Sequence, residues 1–247
     1  IRHRAMPSAS RPATEHTPCY VLTVPTGLEF LAAEEVAEQL PDATIEPRRG
    51  KLLVSTHGET TKLLAFHSCF HVYAFVAVRD GVPPDTSGLD WLKQTVRDVD
   101  CGPALALWRA QFQRDQPASF RITAQRHGEQ AFSSMQAAGA LGEAVQQRFG
   151  WPVNLNQPDL EIYAQLHEQQ LLLAITLTRT GLHHRDQLQR GRTGLKQPIA
   201  YSLARLARLQ PGDTSCDPMA GVGTIPIEAA RLQPMGRHLA GDRDTDE

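Results

Sequence analysis

The sequence predicts a mixed α/β chain, with an α+β arrangement in its N-terminal part and an open strand–loop–helix–strand unit towards its C-terminus. Three observations carry that prediction. Short β-rich segments alternate with stretches of helical periodicity along the whole chain. Two runs, Ile162 to Leu166 and Leu171 to Thr178, are joined by a short polar turn in the manner of a hairpin. A glycine-rich turn containing Gly221 and Gly223 falls between a strand ending in Asp217 and a helix.

Taken in order, residues 1–18 are rich in Arg, Ser, Ala and Pro and read as a loose tail, with Met6 as a candidate start. Residues 19–85 form the first folded unit. Tyr20 to Val24 is a strand stopped by Pro25, after which Thr26 and Glu29 read as a capping box. Leu28, Leu31, Ala32, Val36 and Leu40 then mark one buried stripe of a helix. Ile45 and Lys51 to Thr56 read as two strands joined through Arg48, Arg49 and Gly50. A helix over Glu59 to Ser68 and a strand over His71 to Arg79 complete a β-α-β-β-α-β order, which is ferredoxin-like.

Pro83, Pro84, Asp85 and Gly88 mark a break. Residues 86–117 read as a helical linker, carried by Leu89, Leu92, Val96 and Val99 and more weakly by Leu105, Leu107 and Trp108. Residues 118–180 form a second α/β unit. It opens with the strand Phe120 to Ala124, followed by a helix capped by Ser133 or Ser134 and closed by Gly150. The hairpin ends that unit, and residues 181–197 connect it to the last one. From residue 198 to 247, Pro198 opens a helix whose buried face is expected to be Ile199, Leu203, Leu206 and Leu209. Strand Thr214 to Asp217, the glycine turn, helix Ile225 to Leu232 and strand His238 to Asp242 then read as the truncated start of a Rossmann-like domain.

Composition narrows the function classes. The 247 residues, 41% hydrophobic and 21% charged, fit a globular protein and exclude fibrous and disordered classes. A formal net charge of −2 gives no global attraction to nucleic acid, so RNA binding has to rest on local clusters. Cys19, Cys69, Cys101 and Cys216 form no C-x-x-C pair, which predicts a reducing, cytoplasmic setting and no structural metal. The longest aliphatic run, Leu171 to Leu177, is too short to cross a bilayer, and no membrane partner is expected.

The segment Asp217-Pro-Met219-Ala220-Gly221-Val-Gly223-Thr224 carries the most chemical information. An acid at a strand end followed by bare glycine backbone lets a ligand lie against the main chain. Gly223 is followed by Thr224 without the lysine of a phosphate-binding loop. Pro226 stands where a dinucleotide fingerprint needs its third glycine, which disfavours an NAD-dependent oxidoreductase. S-adenosylmethionine (SAM) has no phosphate and carries a cationic amino group, so an acidic loop suits it. Asp242, at the end of the next strand, stands where a carboxylate can accept from ribose hydroxyls. The plainer alternative is a tight turn with Asp242 as a solvated acid; the strand–acid–loop–helix–strand–acid order favours a cofactor site.

The run from Asp217 to Ala230 resembles the cofactor motif of the THUMP-domain RNA methyltransferases. Leu182-His-His-Arg185, Leu195-Lys196 and Ile199-Ala200-Tyr201 resemble their connector, and Val24-Pro-Thr-Gly-Leu-Glu29 the opening of their ferredoxin-like domain. Within the family the chain is most similar to the tRNA guanine-N2 methyltransferases. The resemblance implies a ferredoxin-like domain, a THUMP domain over 118–180 that holds the tRNA acceptor end, and a SAM methyltransferase domain. It implies methylation of a guanine amino group in the acceptor stem, of the position-6 type. It assigns the cofactor to Asp217, Met219, Ala220, Gly221, Gly223 and Asp242, with Thr224 helping to cap the following helix. It also implies a small zinc-ribbon activator subunit as partner. The family's Asn/Asp-Pro-Pro-aromatic catalytic motif is expected downstream of Asp242; Pro83-Pro84 is not that motif. No residue here is therefore assigned as catalytic, and the chain alone is expected to be inactive.

Between Arg179 and Arg208 the chain carries His183, His184, Arg185, Arg190, Arg192, Lys196 and Arg205 against Asp186 alone. Such a cluster can neutralise phosphates. With the resemblance, Arg121, Arg126, His184, Arg185, Arg190, Arg192 and Lys196 become the candidate RNA-binding residues. Adjacent histidines in an extended stretch point opposite ways, so a joint acid/base role for His183 and His184 is not expected. Trp91, Trp108 and Trp151 read as core or loop anchors. Two other readings stay open: the same architecture acting on small nuclear or ribosomal RNA, and a non-catalytic RNA-binding module.

Overall fold

The computed structural model describes residues 17–182 and 194–243. Its contacts divide the chain into two compact units. One comprises Tyr73–Leu177 with the residues through Cys19, the other Tyr20–Val72 with Thr178–Glu247. The mixed α/β class expected from the sequence holds in both.

In the second of these units, β1 (Cys19–Thr23), β2 (Thr44–Arg48) and β3 (Lys51–Ser55) lie in the order β2-β3-β1. The β2–β3 hairpin is antiparallel, with Arg48 opposite Lys51, and turns at Gly50 with φ 70°. Helix α1 (Glu29–Gln39) buries Leu31, Ala32 and Val36 as the periodicity requires. The Thr26–Glu29 capping box does not form. The helix starts at Glu29, whose carboxylate accepts instead from the amides of Gly27 at 2.9 Å and Gly50 at 2.7 Å. It therefore braces the β2–β3 turn rather than the helix start. Helix α2 is only Thr60–Leu63, against the expected span to Ser68. The amides of His67 and Ser68 are taken by the buried Glu35 carboxylate, at 2.9 and 3.0 Å, and so leave the helical ladder.

The same unit holds the C-terminal elements. Helix α6 (Gln197–Leu206) has Pro198 in its first turn, as expected. Its buried face, however, is Ala200, Tyr201 and Ala204, while Leu203 and Leu206 are exposed. The expected stripe of Ile199, Leu203, Leu206 and Leu209 thus faces the wrong way. Small residues let α6 pack closely on its neighbours, among them α1, which it meets through Arg205 and Glu38. Strands β8 (Thr214–Asp217) and β9 (Arg237–Ala240) pair in parallel around helix α7 (Thr224–Leu232), a right order for a Rossmann-like start.

In the other unit, β4 (His71–Asp80), β7 (Gln170–Thr176), β6 (Leu160–His167) and β5 (Phe120–His127) lie in that order. β5 and β6 are parallel, as a crossover through α5 (Ser134–Phe149) demands, and β6–β7 is the expected hairpin. Ser133 caps α5 in a full capping box with Gln136, and Gly150 closes it at φ 71°. Helices α3 (Gly88–Asp98) and α4 (Gly102–Phe112) occupy the stretch read as a linker. Among the described residues no helix is long and apolar enough to cross a membrane.

Candidate functional site

The site is built by two strand ends. Asp217 closes β8 opposite Ala240 of β9, and the parallel ladder continues outward through the Gly241 amide, which donates to the Asp217 carbonyl at 2.9 Å. The Ala220 amide donates to the Gly241 carbonyl at 2.9 Å. The turn is then closed by the Gly223 amide on the Ala220 carbonyl at 2.8 Å. The loop is thus stitched to the end of β9 by main-chain bonds.

Both glycines sit at positive φ, Gly221 at 49° and Gly223 at 77°. A Cβ added at Gly221 would meet no atom within 4 Å, so the conformation, not crowding within the protein, asks for glycine, and the space above it is open. Gly223 is the N-cap of α7 and no side chain caps that helix; the capping role expected of Thr224 is not seen. The first amides of α7 are therefore left without a side-chain acceptor.

The two acids flank this opening. Asp217 accepts from the Met219 amide at 3.1 Å, and Asp242 accepts from the Gly221 amide at 2.7 Å. The structure thus brings all six expected cofactor residues into one connected turn, with the Met219 side chain projecting into solvent at 83% exposure. Exposed carboxylates on a turn with outward glycine backbone suit a ligand that is cationic at one end and hydroxyl-bearing at the other. Among the described residues no three His, Cys, Asp or Glu side chains cluster as metal ligands.

The basic residues are less gathered. Arg121 pairs with Glu161 at 3.0 Å and donates to the Leu155 carbonyl at 3.2 Å. Arg126 binds the carbonyls of Gly128 and Gln130 at 3.0 and 3.1 Å. Five residues apart on β5, the two start from opposite faces of the strand. Lys196 stands over the Phe70 ring at 5.4 Å in the other unit. His184, Arg185, Arg190 and Arg192 lie outside the described residues.

One group of side chains escaped the sequence reading. Glu228, on α7 one turn beyond the loop, is 1% exposed, and its Oε1 accepts from Gln197 Nε2 at 2.7 Å. His67 Nδ1 lies 3.4 Å from its Oε2, and the His67 ring stands 5.4 Å from the Tyr201 ring. Burial first, then the Glu35 carboxylate, pushes the Tyr201 phenol well above its ordinary range. The signal available was an acid inside the apolar run Ile225-Pro-Ile-Glu228-Ala-Ala.

The comparisons with known proteins follow this division. Residues 104–176 match the THUMP domain, and residues 185–243 match the RMKL-like methyltransferase domain UPF0020. The chain is 38% identical over 130 residues to the mouse (Mus musculus) tRNA (guanine(6)-N(2))-methyltransferase THUMP3, covering 52% of this chain and 26% of that protein. It is 32% identical over 126 residues to the Homo sapiens U6 snRNA (guanine-N(2))-methyltransferase THUMPD2, covering 50% of this chain and 25% of that protein. The crystal structure of TrmN from Thermus thermophilus superposes with a TM-score of 0.72 at 28% identity, covering 92% of this chain and 66% of TrmN. The chain thus spans about a quarter of those two curated relatives.

Proposed function

Because the chain pairs a THUMP domain with a UPF0020 methyltransferase segment, we propose that it is the RNA-holding and cofactor-holding part of a SAM-dependent tRNA guanine-N2 methyltransferase. The observation that carries the reading is the turn from Asp217 to Gly223, with open space above Gly221 and a carboxylate on either side. These residues fit SAM: the backbone is bare where a nucleoside would lie, and no lysine waits for a phosphate. Asp242 would exchange the Gly221 amide for ribose hydroxyls, and Asp217 would face the cationic methionine end. When bound, SAM supplies an electrophilic methyl group for direct transfer to an exocyclic nitrogen. The chain's own part is positioning, of the cofactor through the turn and of the RNA through the THUMP domain. The target base would have to leave its stack.

The name of THUMP3 favours tRNA, and the THUMPD2 match keeps U6 small nuclear RNA as the second reading. A zinc-ribbon activator and a cytoplasmic location belong to the same proposal, with no surface assigned to the activator.

Calorimetric titration with SAM tests the cofactor reading. The wild-type chain should bind, and Gly221→Asp, which has room for its Cβ and so should fold, should weaken binding at least ~10-fold. Equal SAM binding by the variant, or no heat of binding in the wild type, would falsify it. Competition between tRNA and U6 small nuclear RNA separates the two RNA readings, and affinity should fall as salt rises.

A further inference from the structure

We propose that the buried Glu228 and the half-buried His67 form a latch that positions the cofactor turn, an inference that rests on the SAM reading above. The argument starts from cost. A carboxylate buried to 1% exposure is expensive unless hydrogen bonds or an opposite charge compensate it. Glu228 receives one sound hydrogen bond, from Gln197 to Oε1. Among the described residues its Oε2 has no hydrogen-bond partner, and neither has His67 Nδ1, although the two atoms lie 3.4 Å apart. Arg231 Nε, one turn along α7, is 3.7 Å from Oε1. Two orphaned polar atoms facing each other are what remains of a hydrogen bond that closes with a small movement of α7.

The place of the latch gives it a consequence. Glu228 lies on the helix whose N-cap is Gly223, so a shift of α7 moves the turn directly. His67 cannot follow freely. Its own amide is held by Glu35, as is that of Ser68, whose hydroxyl also bonds Glu35. Its ring is flanked by Tyr201 of α6, whose phenol accepts from Arg205 at 3.2 Å, and Arg205 in turn grips Glu38 of α1. On the other side of the loop, a Cβ at Gly194 would come within 3.1 Å of Val222. The turn is thus referred, through α7, to a rigid polar frame anchored on α1 and on the segment before β4. Glu228 and His67 are positioning residues here; neither lies in the turn itself.

The test uses the whole chain, SAM, and the near-isosteric variants Glu228→Gln and His67→Gln. Each should weaken SAM binding about fivefold to tenfold, and the double variant no more than the worse single one, because both break one contact. Wild-type SAM affinity retained in folded Glu228→Gln, with circular dichroism unchanged, overturns the latch and leaves the SAM reading standing. Additive losses in the double variant also overturn it, since they make the two residues separate structural supports. Absence of SAM binding in the wild type overturns the SAM reading itself, and the latch with it.

Discussion

Both compact units bury large apolar side chains, but they differ in the charge their interiors carry. In the unit that holds the THUMP match, the interior is made of large apolar side chains. Trp108, Phe120, Leu141, Leu160 and Leu166 are all essentially inaccessible, and β7 is buried from Leu171 to Thr176. In the unit that holds the Asp217–Gly223 turn, Tyr20, Leu22, Leu40, Leu52, Leu63 and Phe66 are buried as well, but the interior also takes in Glu35, Ser68, Gln197, Ser202 and Glu228, while Leu203, Leu206, Ile227 and Leu239 face outward. An apolar interior tolerates small rearrangement at modest cost; a polar one holds a single geometry or loses its hydrogen bonds. The difference places geometric precision beside the Asp217–Gly223 turn and ordinary packing within the THUMP match.

The sharpest way to break this comparison is to damage each interior in its own currency. Leu141→Ala removes a fully buried side chain from α5, which lines an apolar cavity with Ile122, Leu105 and Trp151. It should destabilise the protein by about 3 kcal/mol, within the range for buried leucines. In hydrogen exchange, lost protection should concentrate in β5, β6 and α5, with the amides of residues 67 and 68 unaffected. Loss of protection at 67 and 68 of equal size would mean that the two interiors are not distinct.

The reciprocal change is Glu35→Gln. A glutamine amide still offers one acceptor but turns a second donor towards the amides of His67 and Ser68, which both donate to Glu35. The expected loss is about 2 kcal/mol, the cost of leaving a buried donor unsatisfied. Exchange should quicken at residues 67 and 68 first, and β5–β7 should keep their protection. If the variant is as stable as the wild type, the polar interior does not hold its loop.

The same contrast explains what was legible in the sequence. Helix α5 announced itself at both ends, by Ser133 and Gly150, and the β6–β7 hairpin by its alternation, because apolar periodicity reports directly on an apolar interior. The turn from Asp217 to Gly223 was legible because positive φ asks for glycine. Glu35 was not: an acid on a helix with a good apolar stripe looks like surface, and its partners lie more than 30 residues away. Helix α6 misled for a related reason. Its leucines made the louder stripe, yet Ala200 and Ala204 lie inward because close approach favours small residues over large ones. Patterns of hydrophobicity cannot show an interior specified by hydrogen bonds.

The smallest effect bears on the edge of that polar interior. The Arg205 guanidinium donates to both carboxylate oxygens of Glu38, at 2.8 and 2.5 Å, and holds the Glu38 carboxyl below the ordinary glutamate range. A depressed carboxyl contributes stability that is present above the unfolded value and is lost as pH falls through the folded one. Glu38 is 58% exposed, so solvent screening limits the pair to a few tenths of a kcal/mol. Urea unfolding of wild type and Glu38→Gln should therefore differ slightly at neutral pH and converge at acid pH, once the carboxyl is protonated in both states. A difference that persists unchanged into acid would show that Glu38 acts through packing of its stem on α6. In that case the polar frame would end at Tyr201 and would not reach the surface of α1.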